Sequence, residues 1–328
     1  MFETLHDVLT ASLIKAGMAG DRAGACARLF AEASRDGVAS HGLNRFPRFL
    51  RMIANGVVDV AASPVRVAGA GALERWDGRQ GPGNLNARDA MDGAIGLARR
   101  HGIGGVALAN TNHWMRGGSY GWQAADAGVI GVCWTNTLAN VPPWGAADPR
   151  VGNNPLVVAI PRRRGHVVLD MALSQFSVGA LTAYAARGEA LPVAGGYDAA
   201  GTLTDDAEAI LASKRLLPVG FWKGSGLAFA LDMIAASLSA GQATHEIALN
   251  PELETRLSQV FIAIDPRTLG ADGDTDRIVD AAIAHLTAGE GAVRYPGART
   301  LEIRARSLRE GVEVDAAIWS EVQASAAG

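Results

Sequence analysis

The sequence predicts an α/β or α+β fold organised around a sizeable mixed sheet, and three observations carry that expectation. Apolar residues in the first sixty positions recur at helical spacing. From Val65 onward, short β-like runs alternate with helical stretches. A chain of 328 residues that is 48% hydrophobic and 19% charged also has enough apolar material for a large core, which excludes intrinsic disorder. At ~100–200 residues per domain, this length corresponds to two domains or one large α/β domain.

In the helical opening, Phe2, Leu5, Val8, Leu9 and Leu13 mark a first helix. Asp21 is placed to cap a second that runs to about Ser34, and a third spans roughly 44–54 and ends at Gly56. Ser40, between the second and third, is a candidate N-cap. The β-like runs are 65–68, 106–109, 129–134, 156–160 and 167–171, with helices over 87–100, 119–127 and 176–187. A long apolar helix over 227–238 follows Lys223-Gly224-Ser225-Gly226, a strand over 259–264 ends at Asp265-Pro266, and two or three helices close the chain. The 40 glycines are scattered, marking turns and caps, and there is neither an internal repeat nor a polar linker.

The net charge of −3 gives no sequence-independent pull toward nucleic acid or an anionic membrane. Cys26 and Cys133 lie far apart in apolar surroundings and are expected to be free buried thiols. No window approaches ~18 consecutive apolar residues, and the N-terminus lacks the basic-then-apolar order of a signal peptide. The expectation is a soluble cytoplasmic protein.

The common cofactor motifs fail. Gly69-Ala70-Gly71-Ala72-Leu73-Glu74 begins like G-x-G-x-x-G, but Glu74 replaces the third glycine and would repel a pyrophosphate, so a turn is expected. There is no phosphate loop of the G-x-x-x-x-G-K-[ST] type. No metal is expected: the histidines form no H-E-x-x-H pair, and Asp272-Gly273-Asp274-Thr275-Asp276 is followed by Arg277 where a calcium loop needs glycine, leaving a solvated acidic turn. Gly117-Gly118-Ser119-Tyr120-Gly121 matches the nucleophile elbow of serine hydrolases, and His101-Gly102-Ile103-Gly104-Gly105 superficially resembles an oxyanion loop. An elbow needs a strand running straight into the serine, whereas polar, bulky residues 112–116 intervene. Gly102 and Gly104 serve to stop a helix ending at Arg100.

Three segments combine polar, aromatic and glycine residues in ways that packing does not explain. In Ser40-His41-Gly42-Leu43-Asn44-Arg45-Phe46-Pro47-Arg48, His41 sits at a helix start, where the dipole lowers an imidazole pKa and a nearby anion raises it. Arg45 and Arg48, three apart, share a helical face and can bind a carboxylate. The bland alternative is a capped helix with solvated arginines. Asn110-Thr111-Asn112-His113-Trp114-Met115-Arg116-Gly117-Gly118 is a loop after a buried strand, a usual place for functional residues, or else a polar surface loop with an inward aromatic. Phe221-Trp222-Lys223-Gly224-Ser225-Gly226 brings backbone N–H groups and a cation to a helix start, which suits a phosphate; read alone, a glycine-rich helix start with an exposed lysine explains it as well.

With Leu169-Asp170-Met171-Ala172-Leu173-Ser174, Pro142-Pro143-Trp144-Gly145 and Gly152-Asn153-Asn154-Pro155-Leu156, these segments resemble the malate/L-lactate dehydrogenase type 2 family. These are nicotinamide-dependent 2-hydroxyacid oxidoreductases without a Rossmann fold. The resemblance runs from about residue 3 to the final helix, several long motifs in fixed order. SHGLNRFPRF, NHWMRGGSYGWQAA, CWTN, PPWGA and WKGSG are similar to the wording of members that reduce 2,3-diketo-L-gulonate.

The resemblance implies an α+β fold: a non-Rossmann nicotinamide-binding and catalytic domain with a mixed sheet over 68–299, plus a helical domain over 1–67 joined by the C-terminal helices at about 300–328. It implies that His41 donates a proton to the ketone, with Ser40 orienting it. Arg45 and Arg48 would hold the substrate carboxylate, and His113 would sit close to the same pocket. Hydride delivery to a carbonyl carbon generates an alkoxide, which an imidazolium can protonate. The matching cofactor residues are Leu169, Asp170, Met171, Ala172, Leu173, Ser174 and Gln175, then Trp222 and Lys223, then Gly297, Ala298 and Arg299. The last three depart from the Gly-His-Glu of the similar reductases. Losing an acid and gaining a guanidinium favours an extra phosphate, so NADH is the first expectation and NADPH the second. The implied substrate is a small 2-keto acid, first 2,3-diketo-L-gulonate going to 3-dehydro-L-gulonate, with malate, lactate, ureidoglycolate or a cyclic imino acid as alternatives. Neither nucleic acid nor membrane is an expected partner, and a homodimer with active sites near the subunit interface is.

Overall fold

The computed structural model describes residues 2–270 and 273–327. The chain opens with α1 (Phe2–Lys15), α2 (Gly20–Arg35) and α3 (Phe46–Ala54), the last two joined by single 3₁₀ turns at Ala39–His41 and Leu43–Arg45. Leu5, Leu9 and Leu13 of α1 pack with Phe30, Phe46, Phe49 and Met52, and the Phe30 and Phe46 rings meet edge to face at 5.2 Å. Asp21 does not cap α2. That helix begins one residue earlier, at Gly20, with Ala19 as N-cap and no side-chain cap bond, which leaves Asp21 in the first turn facing the positive end of the dipole.

The middle of the chain runs β1 (Val65–Ala70), β2 (Leu73–Asp77), α4 (Gly83–His101), β3 (Ile103–Thr111), α5 (Gly118–Asp126), β4 (Ile130–Thr135), β5 (Leu156–Ile160) and β6 (Val167–Met171). There follow α6 (Val178–Arg187), β7 (Gly196–Tyr197), β8 (Leu203–Thr204), α7 (Ala207–Ser213), β9 (Arg215–Leu216), α8 (Trp222–Ser239) and β10 (Leu257–Ile264). Helices α9 (Asp274–Leu286), α10 (Ala298–Glu310) and α11 (Ala316–Ala327) close it. One seven-stranded sheet has the order β1-β2-β3-β10-β4-β5-β6, and β7, β8 and β9 form a small second one. Within the large sheet β2 and β3 run parallel, and every other neighbouring pair is antiparallel.

Period-2 alternation divides the sheet's side chains between two cores. Val106, Leu108, Phe261 and Ala263 face α4 and α5 with Met91, Ala94 and Tyr120, while Ala107, Trp134 and Val260 face α6, α7 and α8 with Leu181, Ile210 and Leu231. Gly104 is a point of forced approach: a Cβ there would come within 2.2 Å of the Ala94 carbonyl oxygen on α4. Gly102, at φ +83°, ends α4 in the left-handed conformation. At the far end α11 packs back on α1, where Ser12 and Ser325 hydroxyls bond at 2.9 Å and Val322 is buried in the first core.

The turn expected at 69–74 is the β1–β2 hairpin, with Gly71 at φ +58°. Cys26 and Cys133 are free and buried, and burial pushes the Cys26 thiol up to about 12. Two expectations fail locally. Asp274 and Asp276 belong to the first turn of α9, not to a solvated acidic turn, because Asp276 accepts the backbone N–H of Arg163 at 2.9 Å; Asp272 lies outside the described residues. And α8 starts at Trp222, so Gly224 and Gly226 lie inside its first two turns. No helix among the described residues is long and apolar enough to cross a membrane.

Candidate active site

The segment after α2 is placed by one buried hydroxyl. Ser34 donates to the Phe30 carbonyl at 3.1 Å and accepts the Leu43 N–H at 2.8 Å. Gly42 lies so close that a Cβ there would meet Ser34 Oγ at 2.2 Å. Ser40 and His41 are therefore fixed in a 3₁₀ turn. Ser40 caps nothing; its Oγ lies 3.0 Å from His41 Nδ1, which leaves the other ring nitrogen for a ligand.

A second imidazole comes from the loop after β3. Asn112 holds that loop by donating to the carbonyls of Gln80 and Gly81 at 2.8 and 3.0 Å. Met115, at φ +64°, turns its N–H onto His113 Nδ1 at 3.0 Å. The neutral ring of His113 thus carries its proton on Nε2. The His41 and His113 rings stack with centroids 5.8 Å apart and planes 23° from parallel.

Both imidazoles are held neutral. Burial, then the cations of Arg45 and Arg116, push His41 down to about 4. Burial and then Arg45, His41 and Arg48 hold His113 well below the usual value. The cause is burial among guanidiniums, not the helix start assumed from sequence, since α3 begins five residues beyond His41. Arg45 is the N-cap of α3 and Arg48 sits in its first turn. Burial and the Arg48 charge bring Arg45 down to about 10. Arg45 lies 3.8 Å from Glu254, Arg48 donates to the Pro251 carbonyl, and Arg48 Nε is buried with no partner.

The three stretches expected to hold a cofactor meet along β6. The strand's continuation pairs outward: the Gln175 N–H bonds the Leu217 carbonyl and the Val219 N–H bonds that of Leu173, at 2.7 and 2.9 Å. This pairing brings Ala172, Leu173, Ser174 and Gln175 beside the start of α8, where Trp222 and Lys223 are exposed. At the other end, the Val168 N–H bonds the Pro296 carbonyl at 3.0 Å. Gly297, at φ +97°, comes so close that a Cβ would sit 3.1 Å from Val168 N. Ala298 and Arg299 then open α10. Asp170 Oδ2 accepts the Gly118 N–H at 2.8 Å, tying this edge to the His113 loop. The expected N–H cradle at α8 is partly closed, because the Lys223 and Ser225 amides are spent on the Gly220 and Phe221 carbonyls.

Sequence reasoning missed a buried ionic node. Asp36 Oδ2 accepts from Arg116 and from Arg304, both at 2.6 Å, and Oδ1 accepts from Arg35 and Arg304, both at 2.8 Å. Arg304 also stacks over Trp122 at 4.4 Å. The node borders a cavity of about 880 Å³, which lies between α2, α4, α5 and α10. Neither imidazole lines that cavity, and its arginines face a similar number of acids. Ser119 also lines it, on the first turn of α5 and eight residues beyond the end of β3, so no nucleophile elbow forms.

Two uncharged imidazoles facing buried guanidiniums, beside a sheet edge walled by glycines, set the protein among enzymes that move hydrogen at a carbonyl or hydroxyl carbon. The chain matches the malate/L-lactate dehydrogenase family over residues 1–323. It is 46% identical to the 2,3-diketo-L-gulonate reductases of Citrobacter koseri and Klebsiella pneumoniae, in both cases over 98% of each chain. Among solved structures it is similar to sulfolactate dehydrogenase from Methanocaldococcus jannaschii (TM-score 0.91, 27% identity, 99% of this chain and 95% of that one). It is also similar to delta1-piperideine-2-carboxylate reductase from Pseudomonas syringae pvar. tomato (TM-score 0.87, 30% identity, 99% and 98%). The chain belongs to the malate/L-lactate dehydrogenase family and is an oxidoreductase.

Proposed function

We propose that the protein is a nicotinamide-dependent reductase of a small 2-keto acid, with 2,3-diketo-L-gulonate, reduced to 3-dehydro-L-gulonate, as the first candidate substrate. The observation that carries this reading is the stacked pair His41 and His113 beside Arg45 and Arg48; the similarity to 2,3-diketo-L-gulonate reductases selects the substrate. Arg45 and Arg48 hold the carboxylate, the unpartnered Nε of Arg48 offering a buried donor for it. His113 donates its Nε2–H to the keto oxygen. His41, oriented through Nδ1 by Ser40, gives that oxygen its proton.

The β6 edge fits a nicotinamide dinucleotide. Gly118 and Gly297 bring backbone close to the strand: a Cβ would sit 2.8 Å from Asp170 Oδ2 at the first and 3.1 Å from Val168 N at the second. Exposed Asp170 keeps one carboxylate oxygen without a hydrogen bond, ready for a ribose hydroxyl, and the exposed cations Lys223 and Arg299 stand toward opposite ends for phosphates. When bound, the reduced group supplies a hydride. The sheet's antiparallel ladders support a site of non-Rossmann type. A panel of 2-keto acids followed by NADH absorbance tests the reading: turnover that survives Ser119→Ala but not loss of His41 is expected, and ester cleavage that depends on Ser119 would overturn it. NADH is expected to exceed NADPH in kcat/KM, and a strong NADPH preference would reverse that order, with Arg299 the reason.

The same reading takes the protein as a cytoplasmic homodimer of a helical part, 1–67 with the C-terminal helices, and a catalytic part over 68–299. The free buried thiols suit a reducing compartment. Support for the dimer comes from α8. A helix apolar all round belongs in an interior, yet Leu227, Phe229, Ile234 and Leu238 leave one face of it exposed. A second copy is the occupant we assign. Phe229→Asp with Ile234→Asp is expected to halve the mass seen by sedimentation; a wild-type monomer, or an unaffected dimer, would remove this face from the account.

A further inference from the structure

The segment at 251–254 lies against the guanidiniums that reach it from α3. Arg48 donates to the Pro251 carbonyl, Arg51 Nε bonds Glu252 Oε1 at 3.0 Å, and Arg45 lies 3.8 Å from Glu254 Oε2. The Arg51–Glu252 pair is half exposed and screened by solvent. The Glu254 pair is different, because Glu254 is only 3% exposed. Its Oε1 accepts the Leu138 N–H at 3.2 Å, which fixes the carboxylate. Its Oε2 stands too far from Arg45 for a hydrogen bond and has no other partner. The carboxylate pocket therefore contains a resident anion. With both imidazoles uncharged, two guanidiniums face one carboxylate, and the net excess is a single positive charge.

We propose that Glu254 is a specificity-determining residue that limits the pocket to 2-keto acids bearing one carboxylate, and rejects those bearing two. This rests on the reading of Arg45 and Arg48 as the substrate-carboxylate site. One carboxylate satisfies the excess charge and the open Nε of Arg48. A second has no unpaired cation in the pocket to meet and brings a like charge toward Glu254. A substrate hydroxyl, in contrast, can donate to the free lone pairs of Oε2. Glu254 acts through its charge beside Arg45 and takes no part in proton transfer.

Steady-state reduction of 2,3-diketo-L-gulonate, pyruvate and the dicarboxylate oxaloacetate tests this. The wild type is expected to prefer the monocarboxylates by about tenfold or more in kcat/KM. Glu254→Gln, which keeps the shape and the Leu138 bond, is expected to move the ratio toward oxaloacetate by about tenfold, through KM more than kcat. Glu254→Asp keeps the charge and the wild-type preference. A folded Glu254→Gln enzyme with an unchanged ratio overturns the proposal. So does a wild-type enzyme that reduces oxaloacetate as well as the monocarboxylates, a result that needs no variant. If no keto acid is reduced at all, the reading of the pocket itself fails and the proposal falls with it.

Discussion

Replacing His41 by Ala is expected to lower kcat for keto-acid reduction by about 10²–10⁴-fold, the usual worth of a positioned general acid, while leaving the thermal transition near that of the wild type. The stronger form of the prediction is in the pH dependence. In the free enzyme the His41 imidazole is held at about 4, by burial first and then by Arg45 and Arg116. At neutral pH the ring is therefore mostly without the proton that reduction requires. Because kcat/KM reports the free enzyme, it is expected to fall about tenfold per pH unit as pH rises from 5 to 8. Oxidation in the reverse direction uses the neutral ring as a base and is expected to be flat over the same interval. A substrate carboxylate on Arg45 offsets one of the cations holding the ring down, so the value in the complex rises and kcat declines at higher pH than kcat/KM does. A pH-independent kcat/KM for reduction, or an alanine variant within tenfold of the wild type, would sink the assignment.

Legibility in the sequence followed the range of the interaction. The strands at 156–160 and 167–171 were readable to the residue because Val, Leu and Ile mark each as a compact apolar run. β2 was not, because its Leu-Glu-Arg-Trp-Asp carries three charges and its shape comes from pairing with β1 and β3. The strands of the small sheet are two residues long and hold no period at all. In the site, His41, Arg45 and Arg48 stand within eight positions and could be seen as a group. Asp36, Arg116 and Arg304 could not, since their bonds span 80 and 268 residues, and Glu254 reaches Arg45 from an irregular segment with no motif of its own. Asp36 also caps α2, its backbone N–H bonding the carbonyls of Glu32 and Ser34, a role that any residue but proline could fill at that position.

Asp36→Asn is expected to cost about 3–5 kcal/mol of stability, because removing one member of a buried ionic group strands the others. The carboxylate is 1% exposed and stands among three guanidiniums, of which Arg116 is 5% exposed. Burial alone would push its pKa up, but Arg304, Arg35 and Arg116 outweigh that and hold it far below the usual carboxylate range. The sign of the linkage follows. A depressed folded value means stability that is present above the ordinary 3.8 and is lost as pH falls below it. The wild type is thus expected to weaken steeply in acid, and the asparagine variant, already without the charge, to show a shallower acid limb. The node also joins segments that carry the site: Asp36 lies five residues before His41, Arg116 three after His113, and Arg304 on the helix opened by Ala298 and Arg299. With Asp36 neutral, the Arg116 charge acts on His41 uncompensated and lowers its proton affinity further, so reduction slows beyond what lost folding explains. Replacing Asp36, Arg116 and Arg304 together with apolar residues of similar size tests both effects: it removes the Arg116 charge along with its partner, and is expected to recover most of the stability and, with that cation gone from beside His41, much of the rate. A melting curve for Asp36→Asn that overlays the wild type would show that the node does not hold the fold, and a stable triple variant as slow as Asp36→Asn would show that the Arg116 charge does not act on the imidazole.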